Sequence, residues 1–207
     1  MSTAWDPDLY LKFERERTQP SRDLVARIEL DAPARIIDIG CGPGNSTAVL
    51  RERWPQALVA GLDSSAEMIA KARAGNPEGT WIHADAREAA GERPWDLVYS
   101  NAAIQWIPDH ETLVPQLFDL VAERGVLALQ VPLYGEMPLR HAIDEVASGG
   151  RWLDRLDGAG SQMVYHDIGF YYDVLAPFAA SVVLWQTNYV HEMDSHEAIV
   201  QMISSTG

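Results

Sequence analysis

Residues 35–47 read RIIDIGCGPGNST, and three close glycines, Gly40, Gly42 and Gly44, follow a short apolar run. Such a turn after a strand usually cradles a phosphate at the start of a helix. Here an aspartate, Asp38, stands just before it and would repel one. A phosphate-binding loop also needs Lys-Ser or Lys-Thr after its last glycine, and this loop has neither. A dinucleotide fingerprint needs G-x-G-x-x-G. Gly40 and Gly42 fit its first two places, but Asn45 occupies the third. A cationic ligand suits the loop better, because Asp38 then attracts charge. S-adenosylmethionine, with an ammonium and a cationic sulfur, is such a ligand.

Outward from this stretch, strand and helix signals alternate. Strands are expected at Arg35–Ile39, Leu58–Leu62, Thr80–His83, Trp95–Ser100 and Gly125–Val131. Between them, helices are expected over Ser46–Trp54, which Pro55 stops, over Ser65–Ala74, and from Pro108 to about Ala122. Short apolar strands separated by helices argue for an α/β fold, a doubly wound, mostly parallel, Rossmann-like sheet. Ahead of it, helices over residues 8–17 and 21–30 are separated by a break at Pro20 and Ser21. After Pro132 the pattern loosens. A helix is expected at Pro138–Ala147, an excursion at Gly149–Gly169, a long strand at Ser181–His191 and a helix at Asp194–Ser205.

Asp63 and Asp85 end the second and third strands as Asp38 nears the end of the first. Three acids on successive strands then line the edge where open α/β sheets bind ligands. Asp63 is placed to take both ribose hydroxyls, and Asp85 to accept from an adenine amino group. Asp63 and Asp85 also suit helix caps, and Asp38 suits the loop amides.

The motifs DIGCGPGN, GLDSSAEM, ADA and SNAAIQWIPDH together resemble those of class I S-adenosylmethionine-dependent methyltransferases. The N-terminal WDPDLYLKFERERTQPSRDL and the late WQTNY are more similar to the trans-aconitate methyltransferase family, although related acid O-methyltransferases share parts of the pattern. The resemblance implies a single domain over 1–207: a helical lid at 1–30, a cofactor-binding core at 31–131 and a substrate-side segment at 132–207. It implies that Gly40, Gly42 and Asn45 line the methionine portion of the cofactor, while Asp63, Ser64 and Met68 serve the ribose. Asp85 and Ala86 would flank the adenine, and Asn101 and Ala102 would lie beneath the sulfonium. Tyr10, Phe13 and Arg17 would close over the site, with Arg17 reaching the cofactor carboxylate or the substrate. The family sheet has seven strands, the last antiparallel, and this chain is expected to stop before that strand.

A carboxylate acceptor is ionised at neutral pH and needs no general base, which matches the lack of an obvious acid–base pair. A phenol or amine acceptor would call on His110, His141 or His191. A small carboxylic acid substrate needs a clamp of forks and hydroxyls. Gln105, Trp106, Tyr134, Arg140, Trp185 and Tyr189 are the candidates, each with packing or solvated surface as the competing role. Other acids, such as a malonyl-acyl-carrier thioester, and a non-catalytic cofactor-binding role stay open.

Composition bounds the rest. The net charge of −14, without a basic stripe, disfavours nucleic acid as a partner. No apolar run is long enough for a membrane span, and no secretory signal is visible. The single cysteine, Cys41, fits a reducing, cytoplasmic setting, where it reads as a small filler in the loop. His191, Glu192 and His196 miss the zinc-protease spacing by one residue, and His83 with Asp85 lacks further local ligands, so no metal is expected.

Overall fold

The computed structural model describes residues 14–91, 94–149, 152 and 163–204. Five strands form one sheet: β1 (Arg35–Ile39), β2 (Leu58–Asp63), β3 (Thr80–His83), β4 (Trp95–Asn101) and β5 (Val121–Gln130). Their order is β3-β2-β1-β4-β5, and every pairing is parallel. The chain winds from β1 through β2 to β3, then returns to place β4 on the other side of β1. That reversal opens a crevice at the C-terminal ends of β1 and β4, the usual ligand site of such sheets.

Helices pack on both faces, because each buried strand alternates its side chains between two apolar surroundings. Ile36, Val59, Leu97 and Tyr99 share a core with Leu24 and Val25 of α1 (Glu14–Ala26) and with Val49 and Leu50 of α2 (Asn45–Arg53). Ile37, Ile39, Leu62 and Val98 face the other core, with Leu113, Val114 and Leu117 of α4 (His110–Phe118). Between β2 and β3, α3 (Ala66–Gly75) starts at Ser65, whose hydroxyl accepts from the Met68 amide at 3.3 Å.

Four expectations need correction. First, α1 runs through Pro20 without a break. Proline forfeits a helix hydrogen bond, but tertiary anchoring outweighs that loss. Ser21 is buried; its hydroxyl lies 2.7 Å from the Tyr99 hydroxyl, which also donates to the Ser21 carbonyl at 3.2 Å. Most of the expected helix over 8–17 lies outside the described residues. Second, α4 ends at Phe118, and β5 starts four residues before Gly125, with Val121 paired to Trp95. A bulge then shifts the register to Leu97 opposite Val126, with Arg124 at φ 66°.

Third, residues 181–191 form no strand. Their β-branched and aromatic residues meet no ladder partner among the described residues: Val183 and Val190 are 76 % and 95 % exposed. Fourth, the excursion at Gly149–Gly169 leads into an unexpected helix, α6 (Ile168–Leu175). Asp167 caps it by accepting from the Phe170 amide at 2.9 Å. Tyr171, Val174 and Leu175 pack on the α4 core. The helix α5 (Pro138–Ala147) has its expected bounds, and α7 spans His196–Ser204. No helix among the described residues is long and apolar enough to cross a membrane.

Candidate active site

Asp38 lies two residues after Ile36, on the strand face turned toward α2. It is fully buried on a surface that is otherwise apolar. One carboxylate oxygen, Oδ2, accepts from Ser46 Oγ at 2.7 Å and from Thr47 Oγ1 at 2.6 Å. The other, Oδ1, is buried with no partner. Burial pushes its pKa up to about 6; the two hydroxyls oppose that rise and the Asp63 charge adds to it. At neutral pH the loop therefore sits over a desolvated negative charge with one oxygen unsatisfied. That arrangement calls for positive charge.

The loop above Asp38 is held from both neighbouring strands. The Gly40 and Cys41 amides donate to the Leu62 carbonyl at 2.7 and 3.0 Å. The Gly42 amide donates to Asp63 Oδ2 at 2.9 Å, while Asp63 Oδ1 accepts from the Ser65 amide at 2.8 Å. Asp63 thus fastens the loop to the start of α3, and its remaining lone pairs stay available for ligand hydroxyls. Gly40 has φ +71°, and a Cβ there would lie 2.2 Å from Ala103 Cβ. Its need for glycine comes from the close pass of the chain after β4. Gly42 has φ +53°, and a Cβ there would meet nothing within 4 Å, so open space lies beside the loop. Asn45 begins α2 at the far end of the loop.

Beyond β4, the chain turns tightly. Ala102 takes φ 50°, a strained value for a residue with a side chain. Two hydrogen bonds hold it: its amide donates to the Gln130 carbonyl at 3.0 Å, and Gln105 Nε2 donates to its carbonyl at 2.7 Å. The Asn101, Gln105 and Gln130 side-chain oxygens are each buried and unpartnered. With Asp38 Oδ1, four acceptors in want of donors belong to β1, β4, β5 and the turn after β4.

The remaining candidates divide. Asp85 and Ala86 follow β3, and Ala84 donates to the Asp63 carbonyl at 3.1 Å, which keeps them beside the β2 end. Arg87 forks onto Asp85 through Nε at 2.9 Å and Nη2 at 2.5 Å, and holds its pKa down at about 2. Ser64 is exposed and Met68 half-buried at the start of α3. Tyr134 and Arg140 come together after β5: the guanidinium lies 5.4 Å from the Tyr134 ring and pairs with Asp144 at 2.7 Å. Trp106 is 54 % exposed on the turn at Ile104–Trp106.

Trp185 and Tyr189 lie elsewhere. Arg27 stacks over Trp185 at 4.5 Å, and Tyr189 donates to Asp23 Oδ2 at 2.7 Å, so both dock on α1 and its C-terminal end. Arg17 lies on α1, with its side chain outside the described set; Tyr10 and Phe13 are outside the described residues. Cys41 is buried, and burial beside two acids pushes its thiol pKa up, leaving it a filler. His141 and His191 are exposed, and His110 is buried with both ring nitrogens engaged. Among the described residues, no three His, Cys, Asp or Glu side chains gather as metal ligands.

Sequence reading missed Ser46, Thr47, Ala103 and Gln130. The two hydroxyls had a signal, since adjacent Ser-Thr opens the helix that must face a buried Asp38. Ala103 and Gln130 had none, because their roles arise from chain segments brought together by the sheet.

A methyltransferase domain model matches residues 13–174. The chain is 48 % identical to trans-aconitate 2-methyltransferase of Azoarcus sp. (strain BH72) over 99 % of this chain and 80 % of that protein. It is 45 % identical to the Yersinia pestis (strain Pestoides F) protein of the same name, over 98 % of this chain and 79 % of that one. Among solved structures, the plantazolicin methyltransferase BpumL in complex with SAH superposes with TM-score 0.60 at 20 % identity, over 83 % of this chain and 70 % of that one. Streptomyces venezuelae DesVI superposes with TM-score 0.53 at 18 % identity, over 60 % and 56 % of the two chains. These two likenesses speak for the fold. The domain match and the two trans-aconitate 2-methyltransferase relatives, in agreement with the loop over a buried carboxylate at the switch point of a parallel sheet, show that the chain belongs to the methyltransferase domain family, as a class I S-adenosylmethionine-dependent enzyme close to the trans-aconitate 2-methyltransferases.

Proposed function

We propose that this chain transfers a methyl group from S-adenosylmethionine to a carboxylate of trans-aconitate. The observation that carries the cofactor half is Asp38: a buried carboxylate with one unpartnered oxygen under an open glycine loop. The acceptor half rests on the likeness to the trans-aconitate 2-methyltransferases.

Bound S-adenosylmethionine supplies a methyl carbon on a cationic sulfur, which a carboxylate oxygen displaces to give a methyl ester and S-adenosylhomocysteine. The chain's residues have the simpler tasks of binding, aligning and excluding water. Asp38 favours the ammonium end of the cofactor. Asp63 holds the loop through Gly42 and offers its free lone pairs to the ribose hydroxyls. Asn101 and Gln130, paired across β4 and β5, supply acceptors beside the transfer point. Arg140, over Tyr134, is a cation placed after β5 for a substrate carboxylate, at the expense of its pair with Asp144. An acid–base residue is not required, since the attacking oxygen is already ionised. His110, with both nitrogens occupied, is not available as one.

A mass-spectrometric assay with trans-aconitate and S-adenosylmethionine tests this reading. The expected result is a singly methylated ester that forms as S-adenosylhomocysteine accumulates. Turnover of other di- or tricarboxylates in preference to trans-aconitate would replace the acceptor. Binding of S-adenosylhomocysteine without turnover of any acid would reduce the chain to a cofactor binder.

A further inference from the structure

His110 opens α4 next to the site, yet takes no part in the chemistry above. Its imidazole is 1 % exposed. Nε2 lies 2.8 Å from the Ile104 carbonyl oxygen, and Nδ1 lies 2.8 Å from the Tyr171 hydroxyl. A carbonyl can only accept, so Nε2 carries a proton. In the neutral ring, Nδ1 then accepts from the Tyr171 hydroxyl. The two partners fix both the tautomer and the ring plane, as second partners do for histidines at working sites.

The two elements so joined are distant in sequence and both bear on the acceptor side. Ile104 belongs to the turn that presents Gln105 and Trp106. Tyr171 belongs to α6, and the stretch just before it settles on that same turn. The Val164 amide donates to the Gln105 carbonyl at 2.7 Å. His166 meets His110 edge-on at 5.3 Å and stacks on Phe170 at 3.8 Å. This stretch also reaches the turn after β5, because a Cβ on Gly135 would lie 2.4 Å from the Tyr165 hydroxyl. Residues 164–171 therefore span the turns after β4 and β5, which carry the acceptor-side candidates.

We propose that His110 is a positioning residue for methyl transfer. It locks the Ile104–Trp106 turn to Tyr171, so that Gln105 and Trp106 face the acceptor in one register. The proposal rests on the methyltransferase reading above. A buried side chain with purely structural duty would lower stability and alter every parameter together. A positioning residue alters acceptor use and leaves cofactor binding alone.

Tyr171→Phe is the sharpest test, since it removes one hydroxyl and keeps the ring packed on the α4 core. The expected result is a rise in KM for trans-aconitate of about tenfold, the worth of one buried hydrogen bond, with kcat within about twofold. The Kd for S-adenosylhomocysteine stays at the wild-type value. His110→Gln keeps a donor for the Ile104 carbonyl, and the double variant with Tyr171→Phe is expected to be no worse than His110→Gln alone. An unchanged KM in Tyr171→Phe, an equal loss of cofactor affinity, or additive effects in the double variant would each overturn the proposal. Wild-type protein that turns over no acid would bring down the parent reading, and this proposal with it; wild-type turnover with an unaffected variant brings down this proposal alone.

Discussion

The chain before Gln130 and the chain after it are organised in opposite ways. Before it, five strands pair in one continuous ladder, and most of the fully buried side chains lie there. After it, no strand forms among the described residues, and α5 and α6 bury no residue completely. The first part places its chemistry through the sheet and the loop it carries: loop amides on Leu62 and Asp63, and hydroxyls from the first turn of α2 on Asp38. The second part places its side chains through single long-range bridges, such as Tyr171 on His110 and Tyr189 on Asp23. Cofactor chemistry common to many acceptors can be built into a sheet edge. On the reading proposed above, acceptor choice would fall to the side that is held by fewer contacts.

The largest expected effect breaks the first region at its tightest contact. Gly40→Ala puts a Cβ against Ala103 at a positive φ, with neither element free to move. A loss of more than about 2 kcal/mol is expected, together with loss of cofactor binding. Chemical denaturation and calorimetry check it; a stable variant that still binds would show that the pass after β4 is looser than described. Ala102→Gly, in contrast, relieves a strained φ next door and should hold stability within about 1 kcal/mol of wild type.

Asp38 carries a signature of its own in pH. Its folded pKa of about 6 stands above the ordinary 3.8, so the folded chain keeps the proton that the unfolded chain has lost. Its contribution to stability is full below about pH 4 and is lost as pH rises through 6, about 3 kcal/mol in all. Asp38→Asn removes that slope. Denaturation at pH 4 and pH 7.5 should show the variant gaining on wild type by about that amount between the two. A parallel pair of curves would mean the carboxylate is not desolvated. Asp85, held near 2 by Arg87, acts in the opposite sense and below this window.

The second region should respond more mildly and more selectively. Arg140→Ala is expected to raise the acceptor KM several-fold, about 1 kcal/mol, with cofactor affinity unchanged. An unchanged KM removes Arg140 from the clamp. Tyr189→Phe, smallest of all, should cost about 0.5–1 kcal/mol of stability and no activity, since its hydroxyl serves α1. A kinetic effect there would return the late segment to the acceptor site.

The same contrast explains what could be read from the sequence. RIIDIG, GLDSS and SNAAIQW carry their meaning within a few residues, so the strands and their parallel, doubly wound class, the loop and the three acids near the strand ends were legible; the order of strands in the sheet was not. Gly40 was legible as a glycine, but its reason was not: Ala103 arrives from the far side of β4. SVVLWQTNYV is rich in β-branched and aromatic residues as a strand is, yet a strand needs a neighbour, and local pattern cannot supply one. Pro20 reads as a helix break, and the Ser21–Tyr99 contact that overrides it spans 78 residues. The helix at Ile168–Leu175 was hidden behind a glycine-rich stretch whose composition suggested an excursion.

The central claim is that a buried, ionised Asp38 draws the cofactor's ammonium to the glycine loop. Calorimetric titration with S-adenosylhomocysteine between pH 5 and 8 tests it most directly. Micromolar affinity above pH 7, weakening about tenfold by pH 5 as Asp38 takes up its proton, is the predicted result, and Asp38→Asn should bind weakly with no such slope. Affinity that is flat with pH in the wild type, or equal in the two proteins, would contradict the account.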